Sequence, residues 1–128
     1  MIDMKTKIAI NGFGRIGRAF FRTAKDSPEL EIVAINDIGD IDNIAYLLKY
    51  DSVYGKLNEE VSVKSGKLKV GNREITFLNE KDPAKLPWKD LNVDIVVEST
   101  GVFTDYKKAN AHRDAGAKRV VISSPVNA

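Results

Sequence analysis

Three glycines near the amino end of the chain have the spacing of a phosphate-binding turn. Gly12, Gly14 and Gly17 form the pattern G-x-G-x-x-G, directly after the apolar run of residues 7–11 and before a helix-forming stretch. In such a turn the first glycine permits a tight bend, the second lets the backbone approach a pyrophosphate, and the third lets the helix pack closely on the strand. The helix then offers unpaired N–H groups and the positive end of its dipole to the phosphates. The pattern therefore predicts a dinucleotide site.

An acidic residue follows the second apolar run at the distance that a ribose ligand requires. Residues 31–36 form that run, and Asp37 closes it about 20 residues beyond the glycines. An aspartate at the end of a strand is also a common turn former or helix cap, which is the alternative interpretation. The order strand, glycines, helix, strand and acid favours the binding role.

The composition is that of an ordinary globular protein. The 128 residues are 43% hydrophobic and 30% charged, with a net charge of +2, and they predict one domain over residues 1–128. So small a net charge argues against nucleic acid or a membrane surface as a partner. No apolar stretch has the length of a transmembrane helix, and the first residues lack the apolar core of a signal peptide. We therefore expect a cytoplasmic protein.

Residues that perform thiol chemistry are absent from the sequence. The chain contains no cysteine, which excludes disulfides, thiolate metal sites and a cysteine nucleophile within these 128 residues. The single histidine, His112, is interpreted as a residue on the surface of a helix without a catalytic role. We predict no catalytic residue and no metal site in this chain.

The order of apolar runs and turn residues predicts an α/β fold with a doubly wound, mostly parallel sheet, the Rossmann architecture. A first helix is expected over residues 15–25, and a second helix is expected to begin with Asp42 as its cap. Residues 50–55 are interpreted as a loop. Short alternating runs over residues 61–78, joined by Ser-Gly and Gly-Asn pairs, predict an antiparallel hairpin insertion.

The second half of the chain returns to the α/β pattern. A proline-bounded turn at residues 82–88 precedes a strand, predicted over residues 93–98, that is apolar enough to be buried on both faces. A helix over residues 104–115 and a final strand over residues 119–123 follow. Ligands in such sheets bind beyond the carboxyl ends of the strands. These ends carry small, polar or acidic residues, at positions 11–14, 36–37, 99–101 and 123–124.

Residues 10–18, Ile-Asn-Gly-Phe-Gly-Arg-Ile-Gly-Arg, closely resemble the opening of the phosphorylating glyceraldehyde-3-phosphate dehydrogenase family. Erythrose-4-phosphate dehydrogenases, which are close relatives, share much of this pattern. The resemblance implies an NAD-binding domain that lacks the family's catalytic domain and its C-terminal helix. It continues in the same order along essentially the whole chain, at residues 34–37, 47–55, 80–83, 86–88, 98–103 and 116–123.

The resemblance also implies the cofactor and the residues that bind it. The residues of the glycine turn match positions that hold the NAD pyrophosphate, and Asp37 matches the ribose ligand, whose carboxylate would repel the 2′-phosphate of NADP. Lys81 replaces an arginine whose backbone touches adenine. Thr100, Gly101 and Phe103 match the adenine side, with ordinary packing as the alternative for Phe103, and Ser123 matches a position near the nicotinamide ribose. The expected cofactor-binding residues are Asn11, Gly12, Gly14, Arg15, Ile16, Asp37, Lys81, Ser99, Thr100, Gly101, Phe103 and Ser123.

In a full-length relative the implied reaction is the oxidative phosphorylation of an aldehyde. A cysteine thiolate attacks the carbonyl, hydride passes to NAD, and phosphate releases the acyl group. We expect this chain to supply only the cofactor half, to be inactive alone, and to associate with itself or with a catalytic domain. The alternative is a stand-alone nucleotide-binding or protein-interaction module without catalysis, whose exposed apolar face would mark a partner surface. RNA binding in the nucleotide cleft is a weaker alternative, because the net charge is low.

Overall fold

The computed structural model describes residues 5–51, 55–100 and 110–122. Helices and strands alternate along the first half of the chain and give way to short hairpin strands, after which the parallel pattern resumes. In chain order the elements are β1 (Thr6–Asn11), α1 (Arg15–Ala24), β2 (Leu30–Asn36), α2 (Ile41–Lys49), β3 (Tyr50–Asp51), β4 (Gly55–Lys56), β5 (Val61–Lys64), β6 (Lys67–Val70), β7 (Arg73–Leu78), a 3-10 turn (Pro83–Lys85), β8 (Ile95–Glu98), α3 (Ala111–Asp114) and β9 (Arg119–Ile122).

A seven-stranded sheet of order β5-β6-β7-β2-β1-β8-β9 forms the centre of the fold. β1 pairs in parallel with β2 and β8, and the parallel part continues from β2 to β7 and from β8 to β9. β6 lies between β5 and β7 and pairs with both of them in antiparallel fashion. The predicted doubly wound, mostly parallel sheet with an antiparallel hairpin insertion is therefore confirmed, and β7 joins its two parts.

Both faces of the central strands are covered, which explains their continuous apolar sequence. Successive side chains of β1 point to opposite faces: Ile10 belongs to a cluster with Phe21 of α1 and Leu48 of α2, whereas Ala9 belongs to a cluster with Trp88. Ile10, Phe21, Leu48 and Trp88 are all fully buried, and each large apolar side chain contributes about 1.5–3 kcal/mol on burial. The two clusters therefore pack against the two faces of β1 in the middle of the sheet.

The predicted start of the second helix was two residues late. α2 begins at Ile41, and its N-cap is Asp40, whose side chain accepts a hydrogen bond from the backbone N–H of Asn43 (3.2 Å). Asp42 instead lies in the first turn of the helix, where its charge complements the helix dipole. The first helix, by contrast, ends at Ala24, within one residue of its predicted end.

The prediction of a loop over residues 50–55 was wrong at both of its ends. β3 and β4 form a short antiparallel pair, with Tyr50 opposite Lys56 and Asp51 opposite Gly55. The segment after β4 is joined to the end of α2, because the Lys49 ammonium donates hydrogen bonds to the carbonyl oxygens of Leu57 (3.0 Å) and Glu59 (2.7 Å).

The two carboxyl-terminal strands lie within two residues of their predicted bounds where the structure describes them. β8 begins at Ile95 rather than at residue 93, and β9 covers Arg119–Ile122. Of the helix predicted over residues 104–115, α3 is described, and residues 101–109 lie outside the described ranges. In the described residues no helix is long and apolar enough to cross a membrane.

Candidate functional site

A cleft of about 400 Å³ lies at the carboxyl ends of β1, β2 and β8, and we call it the carboxyl-edge cleft. Arg15 and Ile16 begin α1 beside it, with exposed side chains. Gly101, Phe103 and Ser123 lie outside the described residues, so that their predicted roles stay predictions. The other predicted cofactor residues all line the cleft, whose walls are Asn11, Gly12, Gly14, Asn36, Asp37, Ile38, Glu80, Lys81, Ser99 and Thr100.

The three glycines of the turn meet three different environments. Gly12 has a φ of +93°, and a Cβ there would lie 2.7 Å from the backbone nitrogen of Thr100. A Cβ on Gly17 would collide with the carbonyl oxygen of Gly12. Nothing lies within 4 Å of a Cβ built on Gly14. The first glycine is thus required by the turn and the third by close packing, whereas the second borders open space at the start of α1.

Asp37 holds the glycine turn as well as facing the cleft. Its Oδ2 accepts a hydrogen bond from the backbone N–H of Phe13 (2.7 Å), and its Oδ1 accepts one from the N–H of Gly39 (2.8 Å). The Asn79 side chain fixes the same loop by donating to the carbonyl oxygens of Asp37 and Gly39. A carboxylate has about four lone-pair sites, so these two bonds leave capacity for ribose hydroxyls.

The end of β8 clamps the glycine turn from the other side. The Ser99 hydroxyl donates to the carbonyl oxygen of Gly12 (2.6 Å), and the Ser99 backbone N–H donates to that of Asn11 (2.8 Å). Thr100 donates both its backbone N–H (3.0 Å) and its hydroxyl (2.6 Å) to Oε2 of Glu98. The walls of the cleft are therefore fixed to each other by hydrogen bonds between neighbouring strand ends.

A buried carboxylate lies beneath this clamp. Glu98 is 1% exposed, and its Oε1 accepts hydrogen bonds from Nδ2 of Asn11 and Nε2 of His112, both at 2.7 Å. Burial raises the pKa of Glu98, but the hydrogen bonds from His112, Thr100 and Asn11 outweigh burial, so the pKa lies below its ordinary value. Glu98 is thus ionised at neutral pH.

The interpretation of His112 as a helix-surface residue was wrong, because the side chain is fully buried. Its Nδ1 accepts a hydrogen bond from the indole N–H of Trp88 (3.0 Å), and its Nε2 faces Glu98. No signal in the local sequence could have revealed this burial. It depends on Trp88, which lies 24 residues earlier and packs against α3.

Asn36 was noted in the sequence only as a strand end, and the structure gives it a larger part. Its Nδ2 donates to Oδ1 of Asn11 (2.6 Å) and to the carbonyl oxygen of Glu80 (2.8 Å). Its Oδ1 accepts the backbone N–H of Glu80 (2.9 Å). These bonds fix the loop that presents Lys81 to the cleft. The pairing of Asn11 with Asn36 in register on β1 and β2 is the signal that could have identified it.

A larger groove of about 590 Å³ lies at the opposite, amino edge of the sheet, beside Lys5, Glu31 and Asn72. Two of its cationic side chains, Lys25 and Arg73, contact the carboxylate of Glu59, with the Lys25 ammonium at 2.6 Å. No group of three or more histidine, cysteine or acidic side chains in the described residues could hold a metal ion.

Residues 6–106 match the family model described as glyceraldehyde 3-phosphate dehydrogenase, NAD binding domain. Glyceraldehyde-3-phosphate dehydrogenases 1 and 2 of Streptomyces arenae are each 56% identical to the chain over 125 residues, 97% of its length. The glyceraldehyde-3-phosphate dehydrogenase of Geobacillus stearothermophilus is 53% identical over 122 residues, 95% of the chain. The chain spans 36% to 38% of the length of these relatives.

Proposed function

Because this chain belongs to the family of glyceraldehyde 3-phosphate dehydrogenase NAD-binding domains, we propose that its carboxyl-edge cleft holds NAD for the oxidation of an aldehyde. The observation that carries the proposal is the open space at Gly14, between the cleft and the first turn of α1. Backbone N–H groups at a helix start bind phosphate well. A Cβ at Gly14 would fill the space that a pyrophosphate needs, so the residues present fit a dinucleotide.

The chain's own residues would bind and orient the two halves of the cofactor. The backbone at Gly14 and Arg15 would hold the pyrophosphate at the positive end of the α1 dipole. Asp37 would accept hydrogen bonds from the adenosine ribose, while Lys81 and Thr100 border the adenine side. When bound, NAD supplies the acceptor for a hydride, which no amino-acid side chain provides.

We assign glyceraldehyde 3-phosphate, rather than erythrose 4-phosphate, as the substrate of the protein that uses this domain, because the relatives at 52% to 56% identity carry that name. The oxidised acyl group would pass to phosphate, as the sequence resemblance implies. The nucleophile must lie outside these 128 residues, since they contain no cysteine. The proposed partners are a catalytic domain that supplies a thiolate and a histidine, and further copies of the chain. The proposed setting is cytoplasmic glycolysis.

Nuclear magnetic resonance of the ¹⁵N-labelled chain tests the location of the site. On addition of NAD we expect the backbone amide signals of Gly12, Gly14 and Thr100 to shift, because these residues line the carboxyl-edge cleft. The signals of Glu31 and Asn72, which line the amino-edge groove, should stay in place. Shifts centred on the amino edge would contradict the proposed site.

The same purified chain should show no NAD reduction with glyceraldehyde 3-phosphate and phosphate, because it has no thiol nucleophile. Absorbance of reduced nicotinamide follows the reaction directly. Turnover above that of a buffer control would contradict the proposal that this chain binds NAD but does not supply the nucleophile.

A further inference from the structure

Polar groups beneath the carboxyl-edge cleft form one continuous chain of hydrogen bonds. This series of hydrogen bonds crosses the ends of three neighbouring strands and reaches loops on either side of them. None of its central side chains is exposed by more than 3%. In order, the groups are the Trp88 indole, the His112 ring, the Glu98 carboxylate, the Asn11 and Asn36 amides, and the backbone of Glu80.

The direction of these bonds fixes the tautomer of His112. An indole nitrogen is a donor only, so Nδ1 of His112 must be an unprotonated acceptor for Trp88. The proton of the neutral ring therefore lies on Nε2 and is donated to Oε1 of Glu98. The Nδ2 of Asn11, 3.3 Å from the same Nε2, is then a second donor to that oxygen rather than a partner of the ring. A doubly protonated ring would set two N–H groups against each other at Trp88.

We propose that His112 is a positioning residue for the nucleotide, acting through Glu98 on both walls of the carboxyl-edge cleft. On one wall, Oε2 of Glu98 holds the backbone N–H and hydroxyl of Thr100. On the other wall, Oε1 orients Asn11, and the bond continues through Asn36 to the loop before Lys81. The proposal rests on the proposed function, because the positioned groups are the walls of the NAD site.

Packing alone does not account for so many buried polar groups in one place. Replacing buried ionic groups with apolar side chains of similar volume often leaves the stability of a protein unchanged or raises it. Here the hydrogen bonds reach main-chain groups at the cleft in two places, the N–H of Thr100 through Glu98 and the N–H of Glu80 through Asn36. Holding these groups in place before binding lowers the entropic cost of ordering them around a ligand.

A pair of substitutions at His112 separates positioning from packing. His112→Gln keeps one acceptor and one donor on a planar group, so it can still link Trp88 to Glu98. His112→Leu keeps apolar bulk and loses both bonds. By calorimetry we expect the Leu variant to bind NAD and adenosine monophosphate about tenfold more weakly, the loss of one hydrogen bond to a charged group. The Gln variant should stay within about threefold of the unaltered chain.

The outcomes separate this inference from the function on which it rests. If a folded Leu variant binds both nucleotides as tightly as the unaltered chain and is only less stable, His112 is a packing residue and the inference fails, while NAD binding by the unaltered chain keeps the proposed function. If the unaltered chain itself binds no NAD, both fail.

Two further measurements cover a Leu variant that does not fold. Trp88→Phe keeps an aromatic ring but removes the donor to Nδ1, and it should also weaken NAD binding severalfold. The ¹⁵N resonances of the His112 ring in the unaltered chain should report a neutral ring with its proton on Nε2. A ring protonated on Nδ1 at pH 7, or Trp88→Phe binding with unchanged affinity, would overturn the inference.

Discussion

The backbone N–H of Phe13 donates a hydrogen bond of 2.7 Å to Oδ2 of Asp37, which joins the glycine turn to the end of β2. The residue that the sequence assigns to the ribose therefore also shapes the turn proposed to hold the pyrophosphate. Removing this carboxylate should damage two parts of the binding site at once, although it lies on only one of them.

Asp37→Ala should raise the dissociation constant for NAD about tenfold or more, since a hydrogen bond to a charged group is worth about 1.5–3 kcal/mol. Asp40→Ala is the matched control. Asp40 lies three residues away and caps α2, outside the cleft lining. It should lower the melting temperature slightly and leave the dissociation constant unchanged. Equal effects of the two variants on affinity, measured by calorimetry, would argue against a ribose contact by Asp37.

Two alanine substitutions in the glycine turn should affect different properties, one the stability of the fold and the other the affinity for NAD. Gly12→Ala forces a Cβ against the backbone of Thr100 at a φ of +93°, and we expect it to cost at least about 1–3 kcal/mol of unfolding free energy. Gly14→Ala meets no protein atom within 4 Å and should cost less than about 1 kcal/mol. The Gly14 variant should nevertheless bind NAD far more weakly, because its Cβ occupies the space proposed for the pyrophosphate. Denaturant unfolding and calorimetry on both variants measure the two quantities separately, and a Gly14 variant with normal affinity would contradict the proposed pose.

The lowered pKa of Glu98 predicts that the free energy of unfolding falls at acidic pH. Its pKa in the folded chain is lowered from an ordinary value of 4.5, so its contribution to the free energy of unfolding is present above about pH 4.5 and lost as the pH falls through the folded-state pKa. Glu98→Gln should lower stability at pH 7 by about 1–3 kcal/mol, because an amide cannot accept from all of the donors that surround the carboxylate. The difference between the two proteins should shrink towards pH 3.

Urea unfolding at several pH values, followed by the fluorescence of Trp88, measures that difference. Trp88 is the single tryptophan and is fully buried, so its emission should shift to longer wavelength on unfolding. Asp94 and Glu59, whose pKa values are also lowered, titrate in both proteins and cancel. A difference that stays constant from pH 7 to pH 3 would show that Glu98 is not held as a carboxylate.

The sequence predicted those features that depend on local pattern. Apolar runs and glycine spacing are local, and they predicted the positions of β1, α1 and β2 and which residues lie at the carboxyl ends of β1 and β2. Asp40 and Asp42 both satisfy the local rule for a helix cap, and the choice between them depends on where α2 starts against the sheet. The local pattern therefore could not separate the two.

The buried hydrogen-bond chain could not be predicted in the same way. His112 is buried against Trp88, and Glu98 accepts hydrogen bonds from Asn11 and His112, which converge on it from different parts of the chain. Such contacts depend on the register of neighbouring strands and on how a short helix packs. Neither of these produces a periodic pattern of residue types in the sequence.

Calorimetric titration of the purified chain with NAD and NADP, side by side at one salt concentration, tests the central claim most directly. We predict saturable binding of NAD and clearly weaker binding of NADP, because the Asp37 carboxylate would repel a 2′-phosphate. A chain that is folded by circular dichroism yet binds neither nucleotide, or prefers NADP, would contradict the assignment of the carboxyl-edge cleft as an NAD site.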